Sequence, residues 1–168
     1  IGGEKKFKIE GEWSSAPELF GQDKFPSGGK TILVTEGELD AMSAYQMLGA
    51  RKCAVVSVRN GAQSALKDCE ANYEYLDSFD NVVFHFDSDK AGLEAQAQCA
   101  ELFSHKASCV VAVNGLKDAS DFLQQNRTAE YLNAVKNAER WTPDGIVAGI
   151  NLYNEVMKPV EKSDVDYP

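Results

Sequence analysis

The chain has 168 residues, 43% hydrophobic and 26% charged, with a formal net charge of -9. That length suits one globular domain around a single core, and no apolar run approaches the roughly 20 residues of a membrane span. The acidic balance excludes a surface that grips nucleic acid by bulk electrostatics alone, so any contact with DNA must be local or supplied by other regions. Cys53, Cys69, Cys99 and Cys109 form no CxxC pair and have no histidine at zinc-ligand spacing. Buried free thiols are therefore expected, with neither a structural zinc nor a disulfide framework.

Residues 1–29 carry a basic patch, KKFK, then a WSS turn region and the turn-rich FPSGGK. They read as the tail of a preceding subdomain. SGGKT (27–31) looks like the end of a P-loop, but Lys24 stands where that motif needs its first glycine. The stretch also precedes a strand instead of joining a strand to a helix, so it reads as a turn. Residues 30–140 then alternate apolar runs with helix-like segments in the order of βαβ units. TILVT (31–35) is the first strand, LDAMSAYQML (39–48) a helix closed by Gly49, and CAVVSV (53–58) the second strand. After the loop RNGAQ, a helix runs through DCEANYEYLDSF, followed by NVVFHF (81–86) as the third strand and KAGLEAQAQCAELF (90–103) as a helix. ASCVVAV (107–113) is the fourth strand, and helices follow at ASDFLQQN and TAEYLNAVKNA. Near-continuous apolar strands separated by helices predict an α/β fold, a parallel four-stranded sheet with helices on both faces and right-handed crossovers. Residues 141–168 read as a linker towards a further domain. The start at Ile1 and the polar ending EKSDVDYP are expected of a piece of a longer protein.

In an open parallel sheet, ligands bind beyond the carboxyl ends of the strands, above all where the winding reverses. Glu36 and Gly37 directly follow the first strand, and Asp40 lies in the first turn of the next helix; Asp87, Ser88 and Asp89 directly follow the third strand. In a sheet ordered 2-1-3-4, Glu36, Asp40, Asp87 and Asp89 would converge on one edge as a carboxylate cage. Carboxylates so close raise one another's pKa and destabilise the fold unless a cation neutralises them. Hard oxygen donors, without thiolate or clustered imidazole, select Mg2+ or Mn2+ over zinc. Taken singly, Glu38, Asp40 or Asp89 would also suit a helix N-terminus through capping and the helix dipole. Two acidic clusters at two strand ends favour the metal site. Gly37 and Gly92 fit it as well, since a backbone passing close to a metal and a phosphate leaves no room for a Cβ. His85, inside the third strand, reads as a core residue and His105 as part of a polar turn, with no Ser or Cys nucleophile in an elbow beside either, so a hydrolase triad is not supported.

TEGELD after the first strand and DSDKAG after the third resemble the signature of the Toprim domain, shared by bacterial-type primases, topoisomerases and some nucleases. In order along the chain, KKFK, LFGQ, GGK, the NGA loop, ANYEYLDSF, LKDASDF and WTPDG are similar to the bifunctional primase-helicases of short-tailed bacteriophages, with mitochondrial Twinkle a more distant relative. The resemblance runs from about Lys5 to about Val147. It implies a Toprim, Rossmann-like fold and DNA primase chemistry: synthesis of RNA primers from ribonucleoside triphosphates on a single-stranded DNA template during phage replication. It assigns catalysis to Glu36, Asp40, Asp87 and Asp89, with Glu36 as metal ligand or general base, and divalent metal (Mg2+ or Mn2+) to these residues and Asp118. Lys8 falls on a basic residue that such proteins place near the nucleotide, although a solvated lysine in a basic tail is an equal reading. Arg59, Asn60 and Gly61, in the second-strand loop where such proteins differ but which should also face the site, and Lys117 are candidate contacts with nucleotide or DNA. The implied partners include a replicative helicase domain in the same full-length chain, hexamerisation through that helicase, and no membrane; the implied location is the cytoplasm of the bacterial host. The zinc module, most of the basic polymerase subdomain and the Walker-A helicase of such proteins are absent from this sequence, so the fragment alone is expected to be weak or inactive. The alternatives are a Toprim nuclease, in which the same cage hydrolyses phosphodiesters, and a non-catalytic Toprim scaffold that binds DNA. A receiver-like phosphorylation module fits less well, because its acidic pair follows strand one and its phosphoacceptor strand three.

Overall fold

The computed structural model describes residues 18–49, 53–113 and 115–143, and Lys8 and most of the segment from 141 lie outside them. The strands are β1 (Gly29–Thr35), β2 (Ala54–Ser57), β3 (Phe79–His85), β4 (Ala107–Cys109) and β5 (Glu139–Arg140). The helices are α1 (Glu38–Leu48), α2 (Ala65–Ala71), α3 (Tyr73–Asp77), α4 (Lys90–Leu102), α5 (Ala119–Gln124) and α6 (Thr128–Lys136). They build one 5-stranded sheet in the order β2-β1-β3-β4-β5. The first four strands run parallel in the order 2-1-3-4, the arrangement under which the carboxylates at the ends of strands one and three converge, and β5, beyond the four strands expected, closes the edge antiparallel to β4.

Successive side chains on a strand point to opposite faces, and β1 shows what that does when both faces are covered. Ile32 and Val34 enter one core with Val56, Leu76, Phe84 and Phe103, whereas Leu33 enters a second core with Val55, Val83, Ala44, Phe122 and Tyr131. The first core lies under α2, α3 and α4, and the second under α1, α5 and α6. From β1 the chain moves one way to β2, then back past β1 to β3. The winding therefore reverses between the neighbouring strands β1 and β3, which is where a crevice opens at the strand ends.

Some elements differ from the sequence reading. The helix expected through DCEANYEYLDSF is two helices, α2 and α3, separated at Asn72. The Asn72 Nδ2 donates to the Asp68 carbonyl oxygen at 2.9 Å, a side-chain bond that competes with helical continuation. The fourth strand is shorter than ASCVVAV. Val110 N–H still donates to the Phe84 carbonyl at 2.9 Å, but β3 ends at His85 and Val111 is 51% exposed. The two-residue β5 carries no apolar pattern and is not legible in sequence. Cys69 and Cys99 are buried, Cys53 and Cys109 partly so, and all four thiols are free. His85 is a core residue: burial lowers its pKa to about 4, and its Nδ1 lies 3.3 Å from the hydroxyl of the fully buried Tyr131.

Leu33 is fully buried against the α1/α5/α6 layer. Leu33→Ala is expected to cost about 2–5 kcal/mol in the free energy of unfolding, measured by urea denaturation, because the packed layers collapse only partly around the lost side chain.

Candidate metal centre

The carboxylates stand at the reversal point. β1 ends at Thr35 and delivers Glu36, α1 places Asp40 in its first turn, and the loop after β3 carries Asp87 and Asp89. The loop after β4 brings Asp118, the residue that caps α5. One oxygen from each of Asp40, Asp87 and Asp118 can be chosen so that all lie within 4.8 Å of one another, and all three residues are half-buried.

Each carboxylate is aimed by a different part of the fold. The Asp40 Oδ1 accepts from the Ser120 backbone N–H at 3.0 Å and from the Ser120 hydroxyl at 2.8 Å, which ties α1 to α5 across 80 residues of sequence. Ser43 Oγ lies 3.2 Å from the same hydroxyl. The Glu36 Oε2 accepts from the Asp87 N–H at 3.2 Å and its Oε1 from the Ala62 N–H at 3.3 Å, so Glu36 bridges the loops after β2 and β3. It lies beside the three-aspartate group but is not a member of it. Asp89 caps α4, its Oδ1 accepting from the Gly92 N–H at 2.9 Å, and at 55% side-chain exposure it leans outward. Asp118 Oδ1 accepts from the Asp121 N–H at 2.8 Å in the same manner. Glu38 is exposed.

Lys117 stands over the cluster, its Nζ 2.5 Å from Asp87 Oδ2 and 3.8 Å from Asp89 Oδ2. Arg59 and Gly61 line a cavity of about 210 Å3 with Glu36, Gly37, Asp40 and Asp87, while the neighbouring Asn60 is exposed. The sequence reading missed Ser120, Ser43, Asp121 and the Ala62 N–H. Of these only Asp121 leaves a sequence signal, the Asp-x-x-Asp spacing of a capped helix start.

The electrostatics carry the cost of this convergence. Burial first, then the Asp118 and Asp87 charges, raise Asp40 to about 6, against the opposing pull of its two bonds from Ser120. Burial and Asp87 likewise raise Glu36 above the ordinary carboxylate range, while the N–H groups of Asp87 and Ala62 oppose the shift. Lys117 is raised, foremost by its bond to Asp87. The donor set is all carboxylate oxygen, which suits a hard divalent cation. The backbone is drawn tight around it. A Cβ on Gly92 would lie 2.2 Å from the Asp87 carbonyl oxygen and 2.9 Å from Glu36 Oε2, so Gly92 is required by the protein's own atoms, and a Cβ on Gly37 would lie 3.0 Å from Asp40 Oδ2.

A mostly parallel sheet ordered β2-β1-β3-β4 with carboxylates gathered at its winding reversal defines a Toprim-type domain, and the chain belongs to the Toprim-like family, whose match covers residues 33–123. It is 37% identical over 161 residues to the DNA helicase/primase of Enterobacteria phage T3, an alignment that takes in 96% of this chain and 28% of that protein. The chain thus spans little more than a quarter of that relative. Among solved structures it superposes with a TM-score of 0.70 and 36% identity on a bacteriophage T7 assembly, covering 82% of this chain and 68% of that one. There the lagging-strand DNA polymerase interacts with primase domains of two gp4 subunits bound to an RNA/DNA hybrid and dTTP. It also matches the primase fragment of the T7 primase-helicase with a TM-score of 0.64 and 35% identity, covering 72% of this chain and 50% of that fragment. Among the described residues no helix is long and apolar enough to cross a membrane.

Asp40 holds its proton more readily in the folded chain, at about 6, than at its ordinary 3.8. Its contribution to the stability of the metal-free protein is therefore fully present below about pH 4 and is lost as pH rises through about 6. Asp40→Asn, which keeps an acceptor for Ser120, is expected to raise the melting temperature at pH 7.5, with the difference from wild type shrinking towards pH 4 in a calorimetric pH series. Gly92→Ala is expected to destabilise the fold by about 1–3 kcal/mol in urea denaturation, because the new methyl meets backbone that cannot yield.

Proposed function

We propose that this chain is the metal-binding catalytic part of a DNA primase that synthesises RNA primers from ribonucleoside triphosphates on single-stranded DNA. The observation that carries the reading is the convergence of Asp40, Asp87 and Asp118 at the sheet's reversal point, in a chain 37% identical over 161 residues to a phage helicase/primase. Asp40, Asp87 and Asp118 would hold Mg2+ or Mn2+. When bound, such an ion supplies charge neutralisation for the phosphates and activation of the attacking hydroxyl.

The chain's own residues do the rest. Glu36, kept basic enough to accept a proton by burial and by Asp87, takes it from the 3′-hydroxyl as general base. Lys117, whose ammonium pairs with Asp87 and Asp89, would meet the triphosphate, and the loop of Arg59, Asn60 and Gly61, two of which line the cavity with Asp87, would contact the nucleotide. Lys8 is assigned to the same nucleotide. In this reading residues 30–140 are the catalytic unit, 1–29 the tail of a basic polymerase subdomain and 141–168 a linker to a helicase that hexamerises, all in the cytoplasm of an infected bacterium.

The test joins metal binding to synthesis. Mn2+ binding to the chain, followed by water-proton relaxation, is expected to be lost in Asp87→Asn with circular dichroism unchanged. The same substitution in a primer-synthesis assay on single-stranded DNA, in a longer protein containing this chain, is expected to lower incorporation by about 100-fold or more, the scale of metal charge stabilisation. Metal-dependent cleavage of the template without synthesis would replace this reading with a nuclease.

A further inference from the structure

Lys117 is held in place by more than its ammonium. Its backbone N–H donates to Asp121 Oδ2 at 2.9 Å, and its carbonyl accepts from the Ser88 N–H at 3.0 Å. The first bond ties this loop to α5 and the second pins it to the loop after β3, whatever side chain residue 117 carries. The side chain itself is 48% exposed and projects over the carboxylates, with Nζ 2.5 Å from Asp87 Oδ2 and 3.8 Å from Asp89 Oδ2. Asp87 also belongs to the group whose oxygens lie within 4.8 Å of those of Asp40 and Asp118. A divalent ion held by that group and the Lys117 ammonium would stand a few ångströms apart with the same sign of charge, which favours one or the other on Asp87. A flexible four-carbon stem allows the ammonium to move without the pinned backbone, and a phosphate oxygen is an acceptor of the right charge for it.

We propose that Lys117 is an exchangeable countercharge: it neutralises Asp87 and Asp89 until a divalent ion arrives with a triphosphate, and then transfers its ammonium from the carboxylates to a phosphate oxygen. The proposal rests on the metal-site reading above and adds to it a coupling between metal and triphosphate. Bare metal must displace Lys117 with nothing to receive it, whereas metal accompanied by triphosphate supplies the acceptor. The two ligands therefore bind with positive cooperativity, and the linkage is reciprocal.

The test is Mn2+ binding to the 168-residue chain by water-proton relaxation, with and without ATP, for wild type, Lys117→Met and Lys117→Arg, each checked for folding by circular dichroism. Lys117→Met is expected to tighten bare Mn2+ about fivefold, the scale of a partly exposed ion pair, and to lose most of the extra affinity that ATP confers on wild type. Lys117→Arg, which keeps the charge, is expected to behave as wild type. A structural role would weaken both kinds of binding together, and so a uniform loss in Lys117→Met overturns the proposal. So does unchanged binding of bare Mn2+ in Lys117→Met, while leaving the metal site standing. No Mn2+ binding by any of the three proteins, with or without ATP, overturns the metal-site reading and this proposal with it.

Discussion

The structure depends on a repulsion. The reversal of winding between β1 and β3 brings Glu36, Asp40 and Asp87 together, the loop after β4 adds Asp118, and burial first, then neighbouring charge, raises the pKa values of Glu36 and Asp40. Nothing local to any one of these residues would place them so. The sheet imposes the proximity, and the energy that makes it tolerable comes from the two packed cores on either face. A site of this kind stores a preference for cations in the scaffold itself, because the fold has already opposed the repulsion before any ion binds.

The surrounding contacts divide the work of holding that arrangement. Backbone N–H groups of Ala62 and Asp87 fix Glu36, a serine on α5 fixes Asp40, and the first turns of α4 and α5 take up one oxygen each of Asp89 and Asp118. Every carboxylate in this set thus commits oxygen to the protein, and Asp40, Asp87 and Asp118 still bring one oxygen each to a common point. Rigid elements supply the precision. Gly92 shows how little slack remains, since even a methyl group there would overlap the loop after β3.

The same chemistry separates this site from other hollows of the chain. The space of about 820 Å3 between α1 and the segment around Phe20–Pro26 is larger, but it is lined by Phe25, Met42, Tyr45 and Val55 and lacks the convergent carboxylates. Size alone does not identify where a divalent cation can be held; the charge concentrated at the strand ends does.

How much was legible in the sequence follows from the range of each interaction. TEGELD and DSDKAG announce themselves because strand, turn and helix start are encoded within a few neighbouring residues, and the apolar runs TILVT, CAVVSV and NVVFHF fix the strands by the same local rule. From these the α/β class and the placing of Glu36, Asp40 and Asp87 at strand ends follow without coordinates, whereas their meeting required strands one and three to be neighbours, which the sheet order supplies. Only the tertiary structure decided that Asp118, not Asp89, joins Asp40 and Asp87 in the tight group: both aspartates cap a helix through the N–H three residues on, but the Asp89 side chain is 55% exposed and leans outward. It alone decided that Ser120 aims Asp40 and that β5 pairs antiparallel at the edge. Each of these depends on which distant segment happens to lie alongside, a choice made by packing two cores at once, and no pattern along a single stretch of chain records it.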